Sequence, residues 1–187
     1  MVHVYTGDGK GKTTAALGLA FRAAGYGKKT LFLQFMKLNQ SGEILSSHRF
    51  PGLIDFMQFG REEFYIPEPL SEDQRLKAGE HLRYGSDPAP FTRDAQQGLD
   101  KGVKALSASL YDIVVFDEIL NLLRLHLIKE DVLLDIIGRF GKGPSEIVFT
   151  GRGASERIIE VSDVVTEMKM VKHCYNKGTG AREGIDF

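Results

Sequence analysis

The chain has 187 residues, 42% of them hydrophobic and 26% charged, which excludes disordered, collagen-like and low-complexity classes and suits one domain over residues 1–187. Lys and Arg (24) against Asp and Glu (25) leave a net charge of −1. There is no bulk drive toward nucleic acid or an anionic membrane, and neither is expected as a partner. The single cysteine, Cys174, excludes an internal disulfide framework and a four-cysteine zinc site. No run approaches the ~20 apolar residues of a membrane helix, and a strand-like start at Val2 does not read as a secretory leader. A cytoplasmic protein is expected.

In chain order, Val2–Tyr5 reads as a short strand stopped by Thr6-Gly7-Asp8-Gly9. Residues 13–24 are rich in Ala and Leu and predict a helix ended by Gly25. Thr30–Phe35 and Leu53–Phe59 predict strands. Residues 71–84 and 93–108 predict helices, separated by Gly85-Ser86-Asp87-Pro88-Ala89-Pro90, which reads as a break. Tyr111–Phe116 is a nearly unbroken apolar run, as expected of a central parallel strand. One or two helices are expected over 119–138, broken by Gly141-Lys142-Gly143-Pro144. Glu146–Thr150 and Val164–Met168 complete the strands, with a helix near 155–161. The tail from Val171 to Phe187 has no periodicity. Alternating strands and helices imply an α/β fold with a mainly parallel sheet.

Gly7-Asp8-Gly9-Lys10-Gly11-Lys12-Thr13-Thr14 follows the first strand and opens the first helix, the setting of a phosphate-binding P-loop. Glycines let successive N–H groups curl toward phosphate oxygens, and the helix N-terminus adds its positive dipole end. Lys12 would reach the terminal phosphates and the Thr13 hydroxyl a magnesium ion. The usual first glycine of such a loop is replaced by Thr6, and Lys10 adds a cation. Ile113-Val114-Val115-Phe116-Asp117-Glu118 ends a buried strand on two carboxylates, where a magnesium shell is completed in P-loop proteins. Spacing leaves open which of Asp117 and Glu118 faces the metal, and whether Asp117 instead caps the next helix.

The loop Gly7–Thr14, the pair Asp117-Glu118, Thr150-Gly151-Arg152-Gly153, the stretch Asp163–Glu167, Val171-Lys172-His173 and the ending Gly184-Ile185-Asp186-Phe187 occur in one order. Together they resemble the P-loop ATP:corrinoid adenosyltransferases, most firmly over residues 1–37 and 111–187. The resemblance implies a three-layer, P-loop NTPase-like (RecA-like) fold and transfer of the 5′-deoxyadenosyl group of ATP to the Co(I) of a reduced corrinoid. It implies ATP as co-substrate, Mg2+ (or Mn2+) as cofactor, a flavoprotein or other reductant upstream, and a homodimer. By the same resemblance Gly7, Asp8, Gly9, Lys10, Gly11, Lys12, Thr13, Thr14 and Arg152 bind the nucleotide. Lys10, Lys12 and Glu118 act in catalysis, and Thr13 with Glu118 or Asp117 holds the metal. His173 is expected to be structural, because a strong axial ligand disfavours Co(I), and Cys174 to be a packing residue.

Family members commonly carry a Phe-Thr-Trp-Glu segment that presses on the corrinoid. This chain has no tryptophan, and its candidates for that role are Phe91-Thr92, Phe64-Tyr65 and Tyr84. A hydrolytic P-loop ATPase, a small-molecule kinase and an ATP-binding module without transfer activity are the competing readings. Their products differ.

Overall fold

Side chains of a strand alternate between two faces, and here both faces are apolar. The computed structural model describes residues 1–38, 41–67, 83–172 and 182–185. Its first half runs β1 (Val2–Thr6), α1 (Lys12–Ala24), β2 (Thr30–Phe35), α2 (Gly42–Ser47), β3 (Ile54–Phe59), β4 (Glu63–Tyr65), β5 (Arg83–Gly85) and α3 (Pro88–Ser107). The second half runs β6 (Ile113–Asp117), α4 (Ile119–Arg124), α5 (Glu130–Phe140), β7 (Glu146–Thr150), α6 (Glu156–Val161) and β8 (Val164–Glu167).

Six strands form one sheet in the order β3-β2-β6-β7-β1-β8, every neighbouring pair parallel. Strands β4 and β5 form a separate parallel pair. Along β2, Leu31, Leu33 and Phe35 point into one cluster and Phe32 into the other; along β6, Val114 and Phe116 oppose Ile113 and Val115. The small residues Ala16, Ala20 and Ala23 bring α1 onto one face. Ala95, Leu99 and Leu106 of α3 and Leu133 and Ile136 of α5 cover the other. The result is three layers, helix on sheet on helix, in agreement with the expected P-loop NTPase-like class. No helix among the described residues is long and apolar enough to cross a membrane.

Two glycines one turn apart set the approach of α3. A Cβ at Gly98 would lie 2.4 Å from Phe35 Cε1, and one at Gly102 2.3 Å from Phe116 Cε1. Only glycine lets the helix lie directly on those rings.

Most expected elements occur within a residue or two of their expected bounds, and the 119–138 stretch resolves into α4 and α5. The segment Gly85–Pro90 is a correction: α3 starts at Pro88 and includes Pro90. Asp87 is its N-cap, accepting from the Ala89 N–H at 3.0 Å. The first-turn N–H groups that proline lacks have no intrahelical partner anyway. The helix expected at 71–84 lies outside the described residues up to 82, and Arg83 and Tyr84 belong to β5. Helix α2 and the strands β4 and β5 were not anticipated. They are six, three and three residues long, too short for periodicity to register.

Candidate functional site

The C-terminal ends of β1, β6 and β7 meet at one sheet edge, where ligands of open α/β folds bind. After β1, Gly7 takes φ +97° and Gly11 φ +118°, a left-handed region open to glycine and strained for other residues. A Cβ at Gly9 would fall 2.6 Å from the Met168 carbonyl oxygen, and the Gly9 N–H donates to that same oxygen at 2.6 Å. The loop therefore rests directly on the backbone that follows β8. Helix α1 begins at Lys12 with Gly11 as its cap, no side-chain cap bond and no acidic residue in its first turn. Its N-terminal dipole end is left for an anion.

Lys12 is nearly buried, and its Nζ donates to the carbonyl oxygens of Gly7 and Gly9, each at 2.7 Å. Burial pulls its pKa below the ordinary lysine value, with Glu118 opposing, Arg152 adding and Asp8 and Asp117 opposing. Lys10 Nζ donates to the Ile185 carbonyl at 3.1 Å, so the segment 182–185 lies beside the loop. Thr14 is exposed.

Asp117, the last residue of β6, is fully buried. Its Oδ1 accepts from the Thr13 hydroxyl at 2.9 Å and the Thr150 hydroxyl at 2.6 Å. Its Oδ2 accepts from Gln34 Nε2 at 3.3 Å and pairs with Lys37 Nζ at 3.7 Å. Asp117 is thus no helix cap. The cap position of α4 is Glu118, at φ 64° with no side-chain cap bond. The Glu118 N–H donates to Thr150 Oγ1 at 2.9 Å, and its carboxylate accepts from Asn121 Nδ2. Burial pushes the Glu118 carboxyl above its ordinary pKa, Asp117 pushes the same way, and Lys37, Lys12 and Arg152 oppose.

Gly151 follows Thr150 with φ +132°, and a Cβ there would fall 3.0 Å from the Asn121 N. This close approach lets the Arg152 N–H donate to Asn121 Oδ1 at 2.8 Å. The guanidinium of Arg152 lies with Nε 3.7 Å from Asp8 Oδ1. Arg152 is a surface ion-pair partner, and its partner is a loop residue.

The structure therefore gathers Gly7 to Thr14, Asp117, Glu118 and Arg152 at one edge. His173 and Cys174 lie outside the described residues. Among the described residues no group of three or more His, Cys, Asp and Glu could hold a metal. The donors present, a threonine hydroxyl and two carboxylates, are hard oxygens. They suit magnesium, which binds through one or two carboxylates plus substrate phosphates. Of the aromatics considered for the corrinoid, Phe91 is buried, with its ring 5.2 Å from that of Tyr65 and the Arg61 guanidinium 5.9 Å from its centroid. Phe64 is half-exposed; the Tyr84 side chain lies outside the described residues.

Sequence reasoning missed Gln34, Lys37, Glu43 and Asn121. The one available signal was Gln34, a lone amide after the apolar run Leu31–Leu33 of β2. The Glu43 carboxyl is pushed up by burial, but its backbone N–H, the Gln34 amide and Lys37 are among the groups that outweigh that and hold its pKa below the ordinary value.

A family model described as ATP:corrinoid adenosyltransferase BtuR/CobO/CobP matches residues 1–187. A corrinoid adenosyltransferase of Pseudomonas aeruginosa is 34% identical over 187 residues, covering 98% of this chain and 82% of that protein. The corrinoid adenosyltransferase CobA of Salmonella typhimurium is 30% identical over 188 residues, covering 100% of this chain and 85% of its own length. An uncharacterized protein of Nostoc sp. is 34% identical over 187 residues, and the match covers 92% of this chain but 44% of that longer protein.

Proposed function

The chain belongs to the ATP:corrinoid adenosyltransferase family, and on that premise we propose that it moves the 5′-deoxyadenosyl group of ATP to the Co(I) of a reduced corrinoid, releasing triphosphate. The observation that carries the reading at this site is the contact of Thr13 with the fully buried Asp117. It ties the glycine loop on β1 to the acidic end of β6, two strands away.

In the reaction the Co(I) electron pair attacks C5′ and a cobalt–carbon bond forms. The C5′–O bond breaks, its pair leaves on triphosphate, and cobalt becomes Co(III). The substrate supplies the nucleophile, so the protein needs no serine, cysteine or general base. Its task is to hold C5′ in line with cobalt and to stabilise a highly charged leaving group. The loop N–H groups of Gly7 to Thr14, with Lys10 and Lys12, would grip the polyphosphate. On reaching it, Lys12 exchanges the carbonyls of Gly7 and Gly9 for phosphate oxygens. Arg152 would approach from the end of β7, releasing Asp8. Thr13 and Glu118 would hold magnesium, which when bound neutralises part of the polyphosphate charge. In this reading Asp117 orients Thr13, since the Thr13 proton goes to its carboxylate and the hydroxyl lone pairs stay free for the cation. The protein would act as a cytoplasmic homodimer served by a flavoprotein or other reductant; size-exclusion chromatography checks the dimer.

The test is incubation with ATP, magnesium and chemically reduced cobalamin. A light-sensitive adenosylated corrinoid and an equal amount of triphosphate are expected. ADP with orthophosphate would instead mean an ATPase, and ADP with a phosphorylated acceptor a kinase.

A further inference from the structure

Three neighbouring strands place a polar side chain at one level of the sheet. Gln34 of β2 stands opposite Gln58 of β3 and Asp117 of β6 in the strand register. Gln34 is fully buried, and an amide buried without partners is strongly unfavourable. Its partners are specific. The Nε2 donates to Asp117 Oδ2 at 3.3 Å and to Glu43 Oε1 at 3.0 Å, and the Oε1 accepts from Gln58 Nε2 at 3.1 Å. This sense of the amide is fixed, because the flipped one would put an oxygen against two carboxylates and an N–H2 against another N–H2.

We propose that Gln34 is a positioning residue for the nucleotide-bound magnesium, holding Asp117 so that the Thr13 hydroxyl presents its lone pairs to the cation. The inference rests on the reading of the site given above. Asp117 has two oxygens: Oδ1 receives the hydroxyls of Thr13 and Thr150, and Oδ2 receives the Gln34 amide. With Oδ2 anchored in the sheet, the carboxylate has one rotation that keeps Oδ1 facing Thr13. Without that anchor, Oδ2 keeps among the described residues only the half-exposed Lys37 ammonium, at 3.7 Å. The second hydrogen on Nε2 goes to Glu43 in α2, so the same amide joins the segment after β2 to the metal-side carboxylate.

The experiment is calorimetric titration of ATP into the wild type and Gln34→Met over a range of magnesium concentrations. Methionine keeps the length and flexibility of the side chain and removes its hydrogen bonds. The magnesium concentration for half-maximal ATP binding should rise about tenfold, the lower end of what outer-shell partners of metal ligands supply. ATP binding without magnesium should change by less than about twofold. A variant with a lower melting temperature and wild-type magnesium dependence would make Gln34 purely structural and overturn the inference. If Gln34→Met does not fold, Gln58→Met removes the donor to Gln34 Oε1; a shift of about twofold to threefold in the same direction sustains the inference, and no shift overturns it. A wild type that transfers no adenosyl group, while Gln34→Met still shows its magnesium shift, would refute the reaction and leave the role of Gln34 standing. A wild type that binds no ATP with magnesium would refute both.

Discussion

Two regions of the molecule are built on different kinds of residue. At the loop edge, the strands β1, β6 and β7 carry buried apolar residues such as Val4, Phe116 and Phe149 and finish on Thr6, Asp117 and Thr150. Those polar ends are buried: Thr150 donates to Asp117, which also accepts from Thr13 of the loop, and Thr6 Oγ1 accepts from the Ala154 N–H. In the region from β3 to α3, residues 54–67 and 83–107, the conspicuous side chains are aromatic, and most serve packing. Phe59 lies against Phe35 at 5.9 Å between ring centroids, and Phe91 against Tyr65 at 5.2 Å. A polar group in a buried strand must be satisfied and so reports its partners, whereas an aromatic one is content wherever apolar surface meets it. The loop edge is therefore specified residue by residue. The β3–α3 region is specified by volume.

Four substitutions sharpen or break this contrast. Lys12→Ala should cost the most in binding: ATP affinity measured by calorimetry should fall by at least about 100-fold, as expected from losing a charge-assisted contact in a closed site. Its melting temperature should stay close to that of the wild type, and micromolar ATP binding retained by the variant would remove the loop from the nucleotide site. Phe91→Ala should do the reverse. It should cost about 3 kcal/mol of stability, roughly 6–12 °C in melting temperature, with ATP affinity intact below the transition. Unchanged melting with a raised KM for corrinoid would turn Phe91 from a core residue into a ligand contact.

Glu118→Ala should raise the magnesium requirement for ATP binding by about tenfold; no change there, and none in Asp117→Ala, would move the metal elsewhere. Phe64→Ala should be the mildest, raising the KM for corrinoid a few-fold, about 1 kcal/mol of lost stacking, with KM for ATP and thermal stability unchanged. Equal kinetics for both substrates would leave Phe64 without a part in the acceptor site.

Glu118 also makes a pH experiment informative. Burial and the neighbouring Asp117 raise its carboxyl above the ordinary value, so the nucleotide-free fold favours the protonated form. That contribution to stability is complete below the ordinary carboxylate pKa and is lost as pH rises through the folded one. Glu118→Gln should therefore melt higher than the wild type at neutral pH, with the gap closing on acidification. Melting curves taken from acidic to neutral pH follow the closing of the gap. Equal melting at neutral pH would show that the carboxylate bears no burial penalty there.

How much of this was legible in the sequence follows the same division. The strands β6 and β7 were readable because a buried parallel strand needs an unbroken apolar run with polar stops, as Ile113–Asp117 and Glu146–Thr150 provide. The loop was readable because glycine, lysine and threonine at fixed offsets have few other uses between a strand and a helix. Gln34 was not, since a single amide acquires meaning only from register with Gln58 and Asp117, and register is set by distant chain segments. Pro88 and Pro90 were misread as a break because proline disrupts a helix only beyond its first turn. Phe91, one of several aromatic candidates for the corrinoid, is buried against Tyr65, and nothing local in the sequence separates an aromatic that packs inward from one that meets a ligand.

The seat of the loop on the Met168 carbonyl has a consequence for how the protein is made. Among the described residues, the strands that pair with β1 are β7 and β8, so β1 waits for partners that the ribosome delivers about 140 to 165 residues later. Until then the glycines have no Met168 carbonyl beneath them, and the loop proposed to hold the triphosphate is unfinished. Nucleotide can stabilise the completed fold by mass action, but it arrives too late to guide the first stages of its assembly.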